Sequence, residues 1–229
     1  MRFLILGAGK TGKLVAQIAA QHGHSVHVLD AKENRDASAL TPPFVAGFDV
    51  VIDFTTPEAV VANLRACLAT GAKMVIGTTG WYGHLPDAKS LAERRGASLL
   101  YGTNFSLGVQ LFLKLAAEIA PQLKAAGYTF SVAETHHSTK LDAPSGTALT
   151  LRDAVITASG TPEIAIESIR HGEAVGEHAL TATGPGDKIL LTHQSGSREA
   201  YAEGAVRAAE WLAGQKPGVY DFRNVFSKL

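Results

Sequence analysis

Short apolar runs alternate with amphipathic stretches along the first hundred residues. The apolar runs cover residues 3–6, 26–29, 50–53, 74–76 and 98–101. Runs of this kind predict strands that are buried on both faces. The stretches between them, at 10–22, 57–70 and 85–95, have the apolar spacing of helices. This alternation predicts a parallel, doubly wound sheet.

Two parts of the chain depart from the alternation. Residues 31–47 contain Pro42-Pro43 and little apolar periodicity, so this connection is predicted to be a loop. After Asn104, helical spacing predicts a helix that Pro121 and Gly127 bring to an end. Alternation from Tyr128 then predicts a strand with one buried face.

Strand-like runs dominate the rest of the chain. A helix is predicted from about Ser145, followed by strands at 164–170, 178–183 and 188–194. Hairpin-type turns, notably 184–187, separate these strands, and a last helix is predicted at about 200–213. Runs of strands outside a βαβ alternation predict a mixed or antiparallel sheet. The expected domains are therefore 1–104, completed by 199–229, and 105–198.

Composition narrows the classes of partner. Hydrophobic residues make up 46% of the chain and charged residues 18%, as in ordinary globular proteins. Lys plus Arg and Asp plus Glu number 21 each, so no global field attracts nucleic acid or anionic lipid. No run approaches the roughly 20 apolar residues of a membrane span. We expect neither a nucleic-acid nor a membrane partner, and an anionic substrate would need a local positive site.

Cys67 is the only cysteine, so no intramolecular disulfide can form. This favours a reducing compartment, and the N-terminal apolar run is too short for a signal peptide. A cytoplasmic location is expected. Because Cys67 lies in a predicted helix, a packed small apolar residue is favoured over a reactive thiol.

A G-x-G-x-x-G motif lies between the first predicted strand and helix. Gly7 allows a tight turn, Gly9 lets the backbone approach a pyrophosphate, and Gly12 permits close packing of helix on strand. Lys10 and Thr11 open the helix, whose N–H groups would bind the phosphates. The motif predicts a dinucleotide site, and the alternative is a glycine-rich turn without a ligand. The expected fold class is α/β: a Rossmann-type doubly wound parallel sheet with a second α+β domain carrying a mixed or antiparallel sheet.

Asp30 ends the second predicted strand. An acid at this point of the motif binds the adenosine ribose hydroxyls and would repel a 2′-phosphate, which slightly favours NADH over NADPH. Lys10 and Lys32 lie close enough in sequence to weaken that repulsion, so either cofactor can serve. The alternative is a plain turn residue at the end of a strand.

Two further loops follow predicted parallel strands and carry small or hydroxylic residues: Phe54, Thr55, Gly77, Thr78 and Thr79. Ligands bind at the carboxyl edge of doubly wound sheets. Such residues suit a nicotinamide ribose and amide, so we expect all five to contact the cofactor. Each loop by itself is more typical of an ordinary turn with a capping threonine, and it is their shared edge that favours a cofactor site.

The most informative segment is 134–148. Its chemical groups come from His136, His137, Lys140, Ser145, Gly146 and Thr147. A histidine can supply a proton near neutral pH, and a lysine ammonium can pair with a carboxylate. The hydroxyls and N–H groups at the predicted helix start form an anion site. Together these groups predict a pocket for an acidic small molecule that receives a proton.

Other interpretations of these residues are structural. Adjacent histidines could ligate a metal, but neighbours on a strand point to opposite faces, so no metal is expected. Residues 145–147 could be only a helix cap. A single histidine is more often structural, and this interpretation is kept for His22, His24, His27, His84 and His193.

Residues 136–148, His-His-x-x-Lys-x-Asp-Ala-Pro-Ser-Gly-Thr-Ala, resemble the signature of the dihydrodipicolinate reductase family. The resemblance covers essentially the whole chain. Further matching segments are 7–12, 53–55, 77–80, 104–106, 176–178 and 197–209.

The resemblance implies NAD(P)H-dependent reduction of 4-hydroxy-tetrahydrodipicolinate, the condensation product of pyruvate and aspartate semialdehyde. The product is tetrahydrodipicolinate, water is lost, and the pathway is lysine and diaminopimelate biosynthesis. His136 is implied as the acid and Lys140 as its partner. The groups implied to bind this dicarboxylate are His137, Lys140, Ser145, Gly146 and Thr147. A homotetramer joined through the second domain is implied as well.

Two rival functions can be separated from this one. Another dehydrogenase of similar layout, acting on an amino acid or a sugar, would not need the segment 136–147. A non-catalytic NAD(P)H sensor would keep residues 7–12 but would not need both histidines and Lys140. Product analysis distinguishes the first rival, and absorbance at the nicotinamide band distinguishes the second.

Overall fold

A computed structural model describes all residues from 1 to 229. The strands are β1 (Arg2–Leu6), β2 (Ser25–Leu29), β3 (Val50–Asp53), β4 (Lys73–Ile76), β5 (Ser98–Tyr101), β6 (Thr129–His136), β7 (Ala165–Arg170), β8 (Glu177–Thr183), β9 (Lys188–Gln194) and β10 (Gly218–Asp221). The helices are α1 (Lys10–Gln21), α2 (Pro42–Val45), α3 (Pro57–Ala69), α4 (Leu85–Arg95), α5 (Leu107–Ala125), α6 (Gly146–Ser159), α7 (Glu199–Ala213) and α8 (Phe222–Val225). The chain divides into two compact units, Met1–Ser106 with Glu199–Leu229, and Leu107–Arg198.

The first unit is built on a six-stranded sheet in the order β10-β5-β4-β3-β1-β2. All neighbouring strands are parallel. The central strands β1, β3 and β4 are buried on both faces, which is why they are continuous apolar runs in the sequence. The prediction of a doubly wound parallel α/β sheet is confirmed.

The edges of this sheet differ from the expectations. The strand β2 has one neighbour and leaves Ser25 and His27 exposed, so burial on both faces was a wrong prediction for it. The opposite edge is β10, a strand of the C-terminal tail. This strand was not predicted, because its apolar pattern is short. The connection 31–47 is not entirely a loop, because Pro42 starts the one-turn helix α2, where its missing N–H is not needed.

Cys67 is fully buried in α3 among apolar side chains. Burial, together with the charge of Asp53, raises the pKa of its thiol to about 12. The prediction of a packed, unreactive cysteine is confirmed.

The second unit contains a four-stranded sheet in the order β7-β6-β8-β9. The pair β6 and β7 is parallel, whereas the other two pairs are antiparallel, so the predicted mixed sheet is confirmed. Apolar side chains of α5 and α6 form one core with the sheet. A tight turn joins β8 to β9, with the Gly184 N–H donating to the Asp187 carbonyl at 3.0 Å.

Two predictions for this unit are wrong. No hairpin joins β7 to β8, because β7 pairs with β6 after the crossover through α6 and never neighbours β8. Pro121 does not end α5, which continues through it to Ala125, whereas Gly127 follows the helix end with a φ of +84°, as predicted. A proline removes one backbone hydrogen bond, and the buried side chains of Ala116 and Ala120 hold this part of the helix against the core.

Candidate active site

The glycine loop between β1 and α1 has the geometry that a bound pyrophosphate needs. Gly7 has a φ of +101°, and a Cβ there would lie 2.4 Å from the Phe54 carbonyl oxygen. A Cβ on Gly12 would lie 1.9 Å from the Gly7 oxygen. At Gly9 a Cβ would meet no protein atom within 4 Å, and no side chain caps α1. Lys10 and Thr11 begin the helix, so its uncapped N–H groups fit an anionic phosphate.

Asp30 follows β2 and closes a turn. Its Oδ1 accepts the N–H groups of Lys32 at 2.7 Å and Glu33 at 3.0 Å. These bonds from Glu33 and Lys32 lower the pKa of Asp30, so the carboxylate stays charged. The turn interpretation accounts for Oδ1 and leaves Oδ2 able to accept a ribose hydroxyl.

A buried carboxylate that the sequence analysis did not single out links the two hydroxylic loops. Asp53, the last residue of β3, accepts the hydroxyls of Thr55 and Thr78, both at 2.7 Å. Its other oxygen accepts the Asn63 amide at 2.9 Å. The Thr78 hydroxyl is therefore directed inward, whereas Thr79 is exposed.

Phe54 and Gly77 shape the same edge of the sheet. A Cβ on Gly77 would lie 2.2 Å from the Phe54 ring, so only glycine lets this ring take its place. Within the five predicted contact residues, the hydroxyls of Thr55 and Thr78 hold the loops together. The backbone of these loops and the Thr79 side chain remain available to a cofactor.

Strand register assembles a polar cluster in the second unit. Glu134 and His136 lie two residues apart on β6 and therefore share its buried face. On one side His136 pairs with Arg170 of β7, and on the other Glu134 pairs with His178 of β8. Residues directly opposite each other on paired strands share a face, so four side chains from three strands meet.

Glu134 is the centre of this cluster. Its Oε2 is hydrogen-bonded to Nδ1 of His136. Its Oε1 accepts Nη2 of Arg170 at 2.8 Å and the backbone N–H of Ser145 at 3.3 Å. Burial acts to raise the pKa of Glu134, but hydrogen bonds from groups including Arg170 and His136 outweigh it and lower the pKa to about 2. Glu134 is therefore a permanent buried anion.

The two buried histidines face each other edge to face, with ring centroids 5.1 Å apart. Burial lowers the pKa of His178 to about 4, and the nearby His136 adds to the effect. Burial also lowers the pKa of His136, but the hydrogen bond and charge of Glu134 oppose that fall. His178 is thus neutral at neutral pH, whereas the Glu134 carboxylate favours the protonated form of His136.

The start of α6 lies against these histidines. Ser145 is its N-cap, and the Ser145 Oγ accepts the Ala148 N–H at 3.2 Å. The same Oγ lies 3.2 Å from Nε2 of His178. Gly146 is exposed and Thr147 is nearly buried. Ser145 therefore caps the helix, and the helix N-terminus remains suited to an anion.

Lys140 lies in the loop between β6 and α6 and forms an ion pair with Asp142 at 2.7 Å. The Asp142 carbonyl also accepts Nη2 of Arg170 at 2.6 Å, which ties this loop to β7. His137 does not join the buried cluster, since its Nδ1 is hydrogen-bonded to Thr139 Oγ1 at 2.8 Å. Lys140 therefore already pairs with a carboxylate, which is the kind of group that it is expected to bind in the substrate.

Sequence reasoning missed Glu134, Arg170 and His178 as site residues. The alternation that runs through Val132 places Glu134 and His136 on one face, so Glu134 could have been found from spacing alone. Arg170 and His178 could not, because their positions depend on how strands pair.

Two groups have metal-ligating atoms within 4.8 Å of one another: Glu134, His136 and His178, and His22, His24 and Glu210. In the buried group both oxygens of Glu134 already have hydrogen-bond partners, and the Arg170 cation would repel a metal ion. The absence of a metal remains a prediction.

No helix in the chain is long and apolar enough to cross a membrane.

Sequence models of dihydrodipicolinate reductase match nearly the whole chain, the N-terminal model at residues 1–105 and the C-terminal model at 108–226. Relatives named 4-hydroxy-tetrahydrodipicolinate reductase include that of Thiobacillus denitrificans, 40% identical over 198 residues, covering 78% of this chain and 73% of the relative. The relative from Desulfovibrio desulfuricans is 35% identical over 258 residues, covering 97% of this chain and 98% of its own length.

Solved structures share the fold. A dipicolinate-bound dihydrodipicolinate reductase from Paenisporosarcina sp. TG-14 matches with a TM-score of 0.75 at 24% identity, covering 98% of this chain and 99% of that one. An amine dehydrogenase from Mycobacterium smegmatis matches with a TM-score of 0.59 at 13% identity, covering 96% and 94%. At these identities the likeness concerns architecture.

Proposed function

The chain belongs to the dihydrodipicolinate reductase family, and we propose that it reduces 4-hydroxy-tetrahydrodipicolinate to tetrahydrodipicolinate with NADH or NADPH. The family is one of NAD(P)H-dependent oxidoreductases in lysine and diaminopimelate biosynthesis. The reaction consumes one hydride and one proton and releases one water. The observation that carries the proposal is the buried His136, which is hydrogen-bonded to a buried carboxylate beside the N-terminus of α6.

Two positive features suit a substrate with two carboxylates. One is the Lys140 ammonium, which already pairs with the Asp142 carboxylate. The other is the N-terminus of α6, with Ser145, Gly146 and Thr147. His137 adds a donor in the same loop. The dipicolinate in the Paenisporosarcina reductase is a small dicarboxylate, which supports this substrate class.

His136 supplies the proton in this proposal. The nicotinamide, when bound, supplies the hydride. His136 protonates the substrate atom that gains the electron pair, and a positioned general acid of this kind accelerates a reaction by roughly 10²–10⁴-fold. Carboxylates held by Lys140 and the helix start fix the substrate ring so that this proton transfer needs no further reorientation.

The first unit is proposed to bind the cofactor. The uncapped N-terminus of α1 and the side of Gly9 that a Cβ would not obstruct suit the pyrophosphate, with Gly7, Lys10, Thr11 and Gly12 around it. Asp30 Oδ2 suits the ribose hydroxyls, so NADH is slightly favoured. The loops with Phe54, Thr55, Gly77, Thr78 and Thr79 suit the nicotinamide end.

Assembly and location complete the proposal. The sheet of the second unit leaves the edges of β7 and β9 unpaired and exposes apolar side chains at Ile169 and Leu190. Such edges are normally covered, so we propose a homotetramer joined through this sheet. Light scattering that shows a monomer at micromolar concentration would contradict it. The single buried thiol, Cys67, fits a cytoplasmic location.

The function is tested by adding freshly condensed pyruvate and aspartate semialdehyde and following NADH or NADPH by absorbance. Mass spectrometry should identify tetrahydrodipicolinate as the product. Lys140→Ala should raise KM and lower kcat together, reducing kcat/KM about 10–10²-fold, because its charge acts on bound substrate and transition state. Lys124→Ala, on the exposed side of α5, is the matched control. Cofactor oxidation without this product would overturn the proposal.

A further inference from the structure

The proposed function assigns the carboxylate of Glu134 no contact with substrate, yet this carboxylate is buried and charged. Burying a charge is costly unless every lone pair finds a partner. An apolar side chain such as that of Val132, two positions earlier on the same face, would fill the core without this cost. A charge retained at such a position points to a task beyond packing.

We propose that Glu134 is the positioning residue of His136, holding the imidazole by Nδ1 so that only Nε2 exchanges the transferred proton. Arg170 and the Ser145 amide hold the carboxylate in place for this task. The inference rests on the proposed function, in which His136 is the acid. It concerns how the imidazole is held and oriented, which can be measured without substrate.

The hydrogen bond to Glu134 determines which nitrogen of His136 carries a proton. An ionised carboxylate can only accept, so Nδ1 of His136 must carry a hydrogen when it is bonded to Glu134. The other nitrogen, Nε2, is then the atom that gains and loses a proton. When Nε2–H gives its proton to the substrate, a neutral imidazole with Nδ1–H remains, and Glu134 stays ionised throughout.

His178 shows what a buried imidazole becomes here without a carboxylate. It lies on the neighbouring strand, faces His136 and is buried more deeply, at 1% exposure against 7%. Its Nδ1 has no hydrogen-bond partner, and its Nε2 meets only the Ser145 hydroxyl. Burial lowers the pKa of His178 to about 4, so at neutral pH it is a neutral imidazole and not an imidazolium. The two histidines therefore differ in two ways: His136 alone is hydrogen-bonded to Glu134, and His136 is slightly less buried.

The charged and titratable groups that act on His136 come from each element around it: Glu134 of β6, Arg170 of β7, His178 of β8 and Lys140 of the following loop. Lys140 and Arg170 are cations, which disfavour an imidazolium. Glu134 is the only anion of the set, so its removal should lower the pKa of His136 and leave the imidazole neutral over a wider pH range.

The kinetic test compares Glu134→Gln with Glu134→Asp over a range of pH. The glutamine variant should lose about 10–10²-fold in kcat at neutral pH, with KM nearly unchanged. Its alkaline limb should move to lower pH, because His136 must be protonated to act. The aspartate variant keeps the charge and should restore the position of that limb. Glu93→Gln, on the exposed side of α4, is the matched control.

The spectroscopic test needs no turnover. Nitrogen NMR of the imidazoles in the full chain should show His136 as the Nδ1–H form at alkaline pH, and Glu134→Gln should allow the Nε2–H form. Equal loss of kcat at every pH, with an unchanged tautomer, would mean a purely structural role and would overturn the inference. A wild-type chain without reductase activity would overturn the proposed function, and the tautomer would still decide whether Glu134 holds His136.

Discussion

Histidines are paired with carboxylates in both units, at the surface in the first unit and buried in the second. The second unit has a buried pair, Glu134 and His136. The first unit has a surface cluster in which α1 and the start of β2 meet α7, formed by His22, His24, Glu203 and Glu210. The hydrogen bond that His22 donates to Glu210 raises the pKa of His22, whereas burial lowers the pKa of His136 despite Glu134. The partner is the same type of residue, so the direction of the shift is decided by burial.

The surface cluster is well formed but structurally modest. Nδ1 of His22 lies 2.9 Å from Glu210 Oε1, and Nε2 of His24 lies 2.7 Å from the same oxygen. Exposed pairs of this kind are each worth up to about 1 kcal/mol, because water and salt screen them. The buried pair is more consequential for function, since there the carboxylate is the main group that opposes the loss of a proton.

The comparison is tested most strongly by removing one histidine from each cluster. His136→Gln should lower kcat about 10²-fold or more, close to 3 kcal/mol in activation free energy, because a buried proton donor is lost. His22→Gln should leave kcat within about 2-fold, since its cluster has no role in proton transfer. Steady-state kinetics measure both, and cofactor titration controls for folding. Near-native kcat for His136→Gln would move the acid to His137 or a bound water.

His178 gives the next largest expected effect, on stability against acid. Its pKa lies near 4 in the folded chain and near 6.5 in an ordinary histidine, so folding is opposed when this side chain is protonated. Stability contributed by the neutral form is full above pH 6.5 and declines as pH falls toward 4, by about 3 kcal/mol at 1.36 kcal/mol per pH unit. Urea unfolding of wild type and His178→Asn between pH 4.5 and 7.5 measures the difference. A pH-independent difference would contradict the prediction.

Asp30 is expected to have a smaller effect, within the cofactor site. NADH should bind at least as tightly as NADPH, and Asp30→Ala should shift the ratio toward NADPH by up to about tenfold, or ~1.4 kcal/mol, because an anion beside the 2′-phosphate is removed. Calorimetric titration of both cofactors checks this, with Glu93→Ala on exposed α4 as control. A wild-type preference for NADPH beyond about tenfold would exclude the role given to Asp30.

The smallest expected effect belongs to His22 and has the opposite pH dependence to that of His178. The pKa of His22 is raised, so its stabilisation is present in full below pH 6.5 and is lost as pH rises through the raised value. The unfolding free energy of wild type should exceed that of His22→Ala by up to about 1 kcal/mol at pH 6 and by less at pH 8.5. High salt should reduce the difference. A gap that widens with pH would show that protonated His22 does not stabilise the fold.

Local patterns predicted much of this molecule. The central strands and the helices around them follow from uninterrupted apolar runs, which mark strands buried on both faces. Gly7 and Gly12 are needed because a side chain at either would collide with backbone, as their spacing after β1 indicates. The edge strand β10 was not predicted, because its four residues are only partly buried and form no continuous apolar run.

The sequence by itself determined the features that depend on neighbours in the chain. These are the βα alternation, the glycine loop, and the grouping of His136, Lys140 and Ser145 in one short segment. What only the tertiary structure decided was which distant residues complete that segment. Arg170 and His178 reach Glu134 and His136 through the register of β6 with β7 and β8, which the packing of the whole unit sets. The tertiary structure also decided the directions of the pKa shifts. These directions depend on burial, and burial depends on tertiary packing and not on residue type alone.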